Sequence, residues 1–251
     1  MQKQLRNKKM IFWLIVLLVL GYATFTYLRF EYILKHANLA DIQQKDLTFG
    51  QGSVLRYIAA GDSTAVGEGA SKVENSYTYK LALNLSAEHT VQYKNIAVIG
   101  AKTQDVIDHQ LSEIIKYNPD VVTVSINAND LTHFVSGNII LKNDQLIIDT
   151  ILKNTHAKIY ITDVPGLQNA KIIPWWFRHL LDWKANSLNK KILTFQDKYE
   201  GNRVKIVDIH NFGWDTYHDI QKTFAADQFH PSDLGYQNWT NAFLDKMLKK
   251  D

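Results

Sequence analysis

The chain has 251 residues, of which 46% are hydrophobic and 21% charged, and it contains no cysteine. This length suits one full α/β domain or two small ones, and the lack of cysteine excludes disulfides, thiolate metal sites and a cysteine nucleophile. Of the 28 Lys and Arg, four (Lys3, Arg6, Lys8 and Lys9) precede residue 10, so the remaining 24 bases face 25 acids. A neutral remainder lacks the clustered bases that nucleic acid requires, so no nucleic-acid partner is expected.

An uncharged apolar stretch, IFWLIVLLVLGYATFTYL at residues 11–28, follows the basic tail of residues 1–9. About 20 helical residues span the hydrocarbon layer of a membrane, so residues 10–28 are predicted to form a transmembrane signal-anchor. The basic flank predicts a cytoplasmic tail, with everything after Arg29 outside the cell membrane. Two alternatives stay open: a buried core helix, and a signal peptide cleaved near Ala23, which would release a secreted domain.

Residues 29–52 are predicted to be a juxtamembrane connector that ends in a turn at residues 49–52, and residues 53–251 to be one domain. Strands are predicted at residues 54–60, 91–99, 120–126, 158–162 and 204–209. Helices are predicted at residues 77–87, 103–117 and 139–152, along a long stripe from Leu181 to Tyr199, and after Pro231. Strict alternation of strands and helices implies a five-stranded parallel sheet covered by helices on both faces.

Polar or glycine positions follow the predicted strands at the edge where parallel sheets bind ligands. Ser63 follows the first strand, Gly100 the second and Asn129 the third, while Asp227 and His230 precede the last helix. Taken singly, each has a simpler interpretation: a turn serine, a turn glycine, two helix caps and a solvated loop histidine. Their shared edge suggests one crevice.

Together these residues resemble the SGNH (GDSL) esterase/lipase hydrolases. The matching blocks are GDS at 61–63, Gly100, NAND at 127–130 and DQFHP at 227–231, in family order over most of residues 54–240. The resemblance implies the family's flavodoxin-like three-layer α/β/α fold and a reaction without cofactor. It also implies Ser63 as nucleophile, His230 as base and Asp227 as the group that orients it. The oxyanion donors would be the N–H groups of Ser63 and Gly100 and the amide of Asn129.

Those residue types suit acyl transfer. A serine hydroxyl is a poor nucleophile until a neighbouring base takes its proton, and histidine titrates near the working pH. A carboxylate on the other ring nitrogen fixes the tautomer and stabilises the imidazolium.

Two positions depart from the family pattern. Its third block begins with glycine where this chain has Asn127, and Ala97 stands where the second block often has glycine. Asparagine is the next most tolerant residue for a left-handed backbone, so the turn at Asn127 is expected to survive. Neither position carries a catalytic side chain, so we expect an altered crevice shape rather than altered chemistry.

The segment IIPWWF at residues 172–177 is unusually apolar for a connection after a strand. In the simpler interpretation its aromatic residues begin a helix and pack on the core. In the functional one, Trp175, Trp176 and Phe177 form a substrate-binding wall for an acyl chain, or lean on the membrane.

Other motifs point to no further chemistry. The chain has no H-x-x-x-H pair on a helix, so no metal is expected, and GDSTAVGEG lacks the G-K-[ST] ending of a phosphate loop. His133 and His210 fall near predicted strand ends. Structural or surface roles are favoured for them over a role in supporting the catalytic residues.

The sequence therefore predicts an exported, membrane-tethered serine esterase or lipase that acts on lipid esters or acylated envelope glycans. Two alternatives share its residues. An acyltransferase would pass the acyl group to another hydroxyl, and a non-catalytic module would bind glycan or lipid. The complete Ser, Gly, Asn and His set argues against the module, which does not need all four.

Overall fold

The part of the chain that the structure describes is built around one six-stranded sheet. The computed structural model describes residues 2–42, 46–199, 203–212 and 220–248. The strands are β1 (Leu47–Phe49), β2 (Val54–Gly61), β3 (Thr90–Asn95), β4 (Val121–Ser125), β5 (Lys158–Thr162) and β6 (Val204–Val207). They lie in the order β1-β3-β2-β4-β5-β6, with β2 to β6 parallel and β1 antiparallel to β3. The parallel part has the flavodoxin-like strand order that the resemblance implied.

The edge strand β1 corrects the predicted count of five strands. It lies within the predicted connector, and Phe49, expected in a turn, pairs with Val91 of β3. The turn falls instead at Gly50 and Gly52, whose φ angles are +73° and +114°. A three-residue edge strand is too short to show an alternating pattern, so the sequence does not reveal it. Residues 43–45 of the connector lie outside the described residues.

Helices cover both faces of the sheet, as predicted. They are α1 (Gln2–Lys35), α2 (Ser63–Val66), α3 (Tyr77–Leu85), α4 (Thr103–Asp105), α5 (Leu111–Tyr117), α6 (Ala128–Thr132), α7 (Gly137–Asn154), α8 (Trp175–Lys198), α9 (Ile209–Phe212) and α10 (Asp233–Leu248). A π-helical turn, Val106–Gln110, joins α4 to α5. One apolar cluster packs under α5, α7 and α8 and the other under α3 and α10.

Two predicted strands end early because polar side chains turn the chain. β3 ends at Asn95 rather than at residue 99, since the Asn95 Oδ1 accepts the Ala97 N–H at 3.0 Å. β6 ends at Val207 rather than at residue 209, since the Asp208 Oδ1 accepts the Asn211 N–H at 2.9 Å and caps α9.

The sheet places a crevice between β2 and β4. From β2 the chain adds β3 on one side and then β4 to β6 on the other, so the winding of the sheet changes direction between β2 and β4. Ligands bind at the carboxyl ends of strands at such a point. The last five residues of β2 and all five of β4 are buried, as expected under two helical layers. Ser63 follows β2 and Asn129 follows β4 at this edge.

Helix α1 is longer than the predicted membrane segment. Among the described residues, Arg6–Lys35 is the one helical segment long and apolar enough to cross a membrane, and its apolar 18-residue window has a mean hydropathy of 2.1. A signal sequence has the same properties. The helix continues to Lys35, so residues 29–35 of the predicted connector are helical.

The last turns of α1 pack against the domain. Phe30 is 1% exposed, and its ring centroid lies 6.3 Å from that of Phe177 and 5.9 Å from that of Phe229. Tyr27 packs on Phe177 at 5.5 Å and on Phe134 at 5.8 Å. We call Tyr27, Phe30, Phe134, Phe177 and Phe229 the aromatic cluster. It makes the end of α1 part of the domain core.

Candidate active site

Ser63 stands on a sharp turn between β2 and α2. Gly61 has a φ of +127°, and a Cβ there would lie 1.8 Å from the Ser125 carbonyl oxygen, so only glycine fits. Asp62 caps α2, because its Oδ1 accepts both the N–H and the hydroxyl of Thr64. Gly67, with a φ of +97°, ends the helix after four residues. The GDS sequence thus produces a strand, turn and helix with Ser63 at the bend.

Gln110 fixes the backbone just before Ser63. Its Oε1 accepts the Gly61 N–H at 2.8 Å, and its Nε2 donates to the Gly61 carbonyl at 2.9 Å. Gln110 is buried and comes from the π-helical turn, a local widening often found at functional sites. Sequence reasoning missed this residue, since no short motif marks it.

Ser63, His230 and Asp227 form a continuous hydrogen-bonded chain. The Ser63 Oγ lies 2.9 Å from the His230 Nε2, and the His230 Nδ1 lies 2.5 Å from the Asp227 Oδ2. The other oxygen of Asp227 accepts the N–H groups of Phe229 and His230, at 3.0 and 3.1 Å. The carboxylate therefore holds both the ring and the backbone of its histidine, and all three side chains are buried.

The electrostatics fit a charged Asp227 beside a basic His230. Burial alone would raise the pKa of Asp227, but the hydrogen bond and charge of His230 bring it below the usual value. Burial alone would lower the pKa of His230, but Asp227, then Glu68 and Asp62, raise it above the usual value. Burial raises the pKa of Asp62 to about 6 despite its bonds to Thr64.

The two loops that carry the predicted oxyanion donors Gly100 and Asn129 are joined by hydrogen bonds. The Asn129 Nδ2 donates to the Ala101 carbonyl at 3.1 Å, next to Gly100. The neighbouring Asp130 accepts both the N–H and the hydroxyl of Thr103, at 2.9 and 2.7 Å, which ties the same two loops together. Gly100 has a φ of +78° and borders a cavity of about 240 Å³.

Asn127 adopts the left-handed conformation expected from its place in the third block, with a φ of +92°. Its Nδ2 donates to the Asp144 Oδ2 at 3.2 Å, and burial raises the pKa of Asp144 well above the usual value. The turn of the block therefore survives without its glycine, as predicted.

Residues 59–237 match the model of the GDSL-like lipase/acylhydrolase family. The chain belongs to this family. It is a serine hydrolase of ester bonds with the SGNH-type α/β fold.

Solved structures resemble the GDSL chain over most of its length. An acetylxylan esterase, Axe2 from Geobacillus stearothermophilus, is 17% identical, with a TM-score of 0.58 over 79% of this chain and 96% of its own. A family 3 carbohydrate esterase of Clostridium thermocellum is 19% identical, with a TM-score of 0.59 over 77% and 94%. A lipolytic G-D-S-L protein of Veillonella parvula is 14% identical, with 0.62 over 79% and 100%. No curated protein matches the sequence.

The aromatic segment of this GDSL hydrolase lies against α1. Phe177 is fully buried in the aromatic cluster, and the Trp176 Nε1 donates to the Thr26 Oγ1 at 3.1 Å. Trp175 is 70% exposed. A substrate-binding role for the segment stays a prediction.

The remaining residues singled out in the sequence have local contacts. The His133 Nδ1 lies 2.8 Å from the carbonyl of Asn129, and the His210 Nδ1 lies 3.3 Å from that of Val164. No group of three His, Asp or Glu that could hold a metal occurs in the part of the chain that the structure describes. Besides Gln110, sequence reasoning missed Glu68, whose carboxylate lies beside His230.

Proposed function

We propose that this hydrolase cleaves carboxylic esters through an acyl-enzyme on Ser63, outside the cytoplasm and close to a membrane. The chain of contacts from Ser63 through His230 to Asp227 carries the proposal. Its substrates would be lipid esters or acylated envelope glycans. Two of the structurally similar proteins are described as carbohydrate or acetylxylan esterases, which supports acylated glycans as one class.

Each group has a defined part in the reaction. The Nε2 of His230 takes the hydroxyl proton as the Ser63 Oγ attacks the ester carbonyl, and Asp227 stabilises the resulting imidazolium. The oxyanion receives hydrogen bonds from the N–H groups of Ser63 and Gly100 and from Asn129. An amide nitrogen carries two hydrogens, so Asn129 has a second one besides that on the Ala101 carbonyl.

The proton is then returned. His230 gives it to the leaving alkoxide, which departs as an alcohol and leaves the acyl group on Ser63. Water repeats the sequence in the second half, with His230 again as base and Ser63 as leaving group. No metal or organic cofactor enters either half.

Ser63→Ala in the full-length chain tests the mechanism. We expect hydrolysis of p-nitrophenyl acetate or butyrate to fall by about 10⁴-fold or more, because the nucleophile is lost. Hydrolysis at the wild-type rate would show that the acyl-enzyme is not formed on Ser63.

The proposed location of the hydrolase, outside the cytoplasm and close to a membrane, is supported by α1. Large apolar side chains along residues 10–28 are exposed, as a bilayer-spanning helix requires. Phe30, at the end of that helix, contacts Phe229, the residue before His230. The anchor would therefore hold the catalytic loop near the membrane surface.

The lack of cysteine allows a direct test of topology. Leu83→Cys, on the exposed face of α3, should react with a membrane-impermeant maleimide in intact cells. Gln4→Cys, in the basic tail, should react only after lysis. Labelling of both residues in intact cells, or of neither, would contradict the proposed orientation. The mass of the mature chain would show whether the segment before Ala23 is removed.

A role of Trp175 in receiving the acyl chain can be tested separately from a role in packing. Trp176 contacts Thr26, which lies in the last turn of the uncharged stretch, so the exposed Trp175 would stand at the membrane surface. We expect Trp175→Ala to reduce activity on long-chain esters more than on acetyl esters. Trp183→Ala is the matched control, since Trp183 lies two turns along α8 and is 67% exposed. Equal losses on both chain lengths would rule out a role in receiving the acyl chain.

A further inference from the structure

A second carboxylate faces the base of the triad. The Glu68 Oε2 lies 3.3 Å from the His230 Nε2, the same nitrogen that lies 2.9 Å from the Ser63 Oγ. The Glu68 side chain is 21% exposed, so water screens this contact only in part. The imidazole thus has Asp227 on one nitrogen and both Ser63 and Glu68 on the other.

The backbone around Glu68 explains its position. Its N–H donates to the Ser63 carbonyl at 2.9 Å, and its carbonyl accepts the Tyr236 hydroxyl at 2.7 Å. The following Gly69 packs so closely that a Cβ there would lie 2.8 Å from the His230 Cβ. These contacts use backbone atoms, so a change of the Glu68 side chain leaves them in place.

The contact between Glu68 and His230 depends on which ring nitrogens of His230 carry a hydrogen. The Nδ1 faces the Asp227 carboxylate and therefore carries a hydrogen. In the neutral imidazole the Nε2 then presents a lone pair, which accepts the Ser63 hydroxyl. A charged Glu68 oxygen would repel that lone pair, so the contact favours a proton on either the Nε2 or the Glu68 carboxyl. With that proton on the Nε2, the nitrogen cannot accept the one from Ser63.

We propose that Glu68 is a positioning residue that shares a proton with the His230 Nε2 and so sets the pH above which Ser63 is activated. The proposal rests on the Ser63 mechanism proposed above. The shared proton leaves to solvent as the pH rises, and the exposed lone pair then takes the Ser63 proton during attack. During the reaction the Glu68 carboxylate stabilises the imidazolium that forms.

The acidic groups around the His230 ring all shift its pKa in the same direction. Burial raises the pKa of Glu68, and the nearby Asp227 raises it further against the opposing charge of His230. The acidic groups that act on His230 are Asp227, Glu68 and Asp62, and all three favour its protonated form. Removing the Glu68 charge should therefore lower the pKa of His230, and the acid limb of the activity profile should move to lower pH.

Glu68→Gln in the full-length chain tests this proposal. The amide keeps the shape but removes the charge, and it can donate a hydrogen to the neutral Nε2, which lowers the pKa of His230 further. We expect the midpoint of the acid limb of kcat/KM to fall by at least about half a pH unit, a roughly threefold change in the proton equilibrium. Glu74→Gln is the matched control, because it makes the same change of charge at an exposed position. Glu68→Ala should move the midpoint in the same direction.

A second readout does not depend on turnover. In a Ser63→Ala background, proton NMR of the His230 Nδ1–H reports the titration of the ring. Its midpoint should fall when Glu68 becomes Gln and should stay in place with Glu74→Gln. Midpoints that stay fixed, or that shift equally in both variants, would overturn the role of Glu68. Persistent hydrolysis in Ser63→Ala alone would instead overturn the serine mechanism.

Discussion

Phe229 and His230 are neighbours in one loop, yet they are held by opposite kinds of contact. His230 is fixed by hydrogen bonds with Ser63 and Asp227, whereas Phe229 rests on the Phe30 ring at 5.9 Å. Hydrogen bonds weaken steeply when angle or distance changes, but apolar contact is non-directional. In the proposed mechanism the polar side of the loop carries the reaction, whereas the apolar side packs α1 against the domain. The Phe229 and His230 rings touch each other, with centroids 5.1 Å apart, yet we expect that each side can be disrupted with little effect on the other.

The largest effect should come from the polar side. Asp227→Asn keeps the size of the side chain but no longer holds the required tautomer of His230, so kcat should fall by about 10⁴-fold. The melting temperature should change far less than the rate. Steady-state kinetics with p-nitrophenyl butyrate measure this, and a loss below tenfold would show that Asp227 does not orient the base.

Disruption of the apolar side should affect stability instead. Phe30→Ala removes a buried ring and should lower the free energy of unfolding by about 3–5 kcal/mol. The kcat/KM of the protein that remains folded should stay within about twofold, because no polar contact is lost. Chemical unfolding in detergent micelles measures the change.

Phe25→Ala is the control for that variant, since Phe25 lies on the same helix but is 66% exposed. It should leave the unfolding free energy nearly unchanged. Equal destabilisation by both variants would show that the aromatic cluster does not anchor α1 to the domain.

Asn129→Ala removes the side-chain amide that we propose as one of the oxyanion donors. We expect kcat to fall by about a hundred- to a thousandfold while KM changes little, because the bond forms fully only in the transition state. A rise in KM at constant kcat would place Asn129 in substrate binding rather than in oxyanion stabilisation.

The smallest effect on turnover should come from a change of Gln110, which holds the backbone of Gly61 close to Ser63. Gln110→Met leaves the buried Gly61 N–H without its acceptor, while the Gly61 carbonyl keeps the Val98 N–H at 3.1 Å, and the change should cost about 1–3 kcal/mol of stability. The loss of kcat should be smaller than for Asn129→Ala. Gln104→Met, at an exposed position on the preceding turn, is the control. Equal melting temperatures for both variants would contradict the role of Gln110.

The predictable parts of the site are those set by neighbours in the chain. The bend at Ser63 depends on Gly61 and the Asp62 cap, and Asp227 reaches a histidine three residues away. Such contacts leave a recognisable pattern of spacing. Long apolar strands were also predictable, because burial on both faces leaves a continuous hydrophobic run in the sequence.

The parts that the sequence did not reveal depend on distant or very short elements. Gln110 reaches Gly61 across 49 positions, from the last residue of a π-helical turn. Glu68 meets His230 only after the first and last strands of the parallel sheet have been placed. β1 has three residues, and its pairing with β3 depends on a partner more than forty positions away.

Covalent labelling tests most directly whether Ser63 is the nucleophile. A fluorophosphonate probe reacts with activated serines, and digestion followed by mass spectrometry locates the adduct. The full-length chain should carry one adduct, on the peptide that contains Ser63, and His230→Ala should label far more slowly. An adduct on another serine, or equal labelling of Ser63→Ala, would contradict the account.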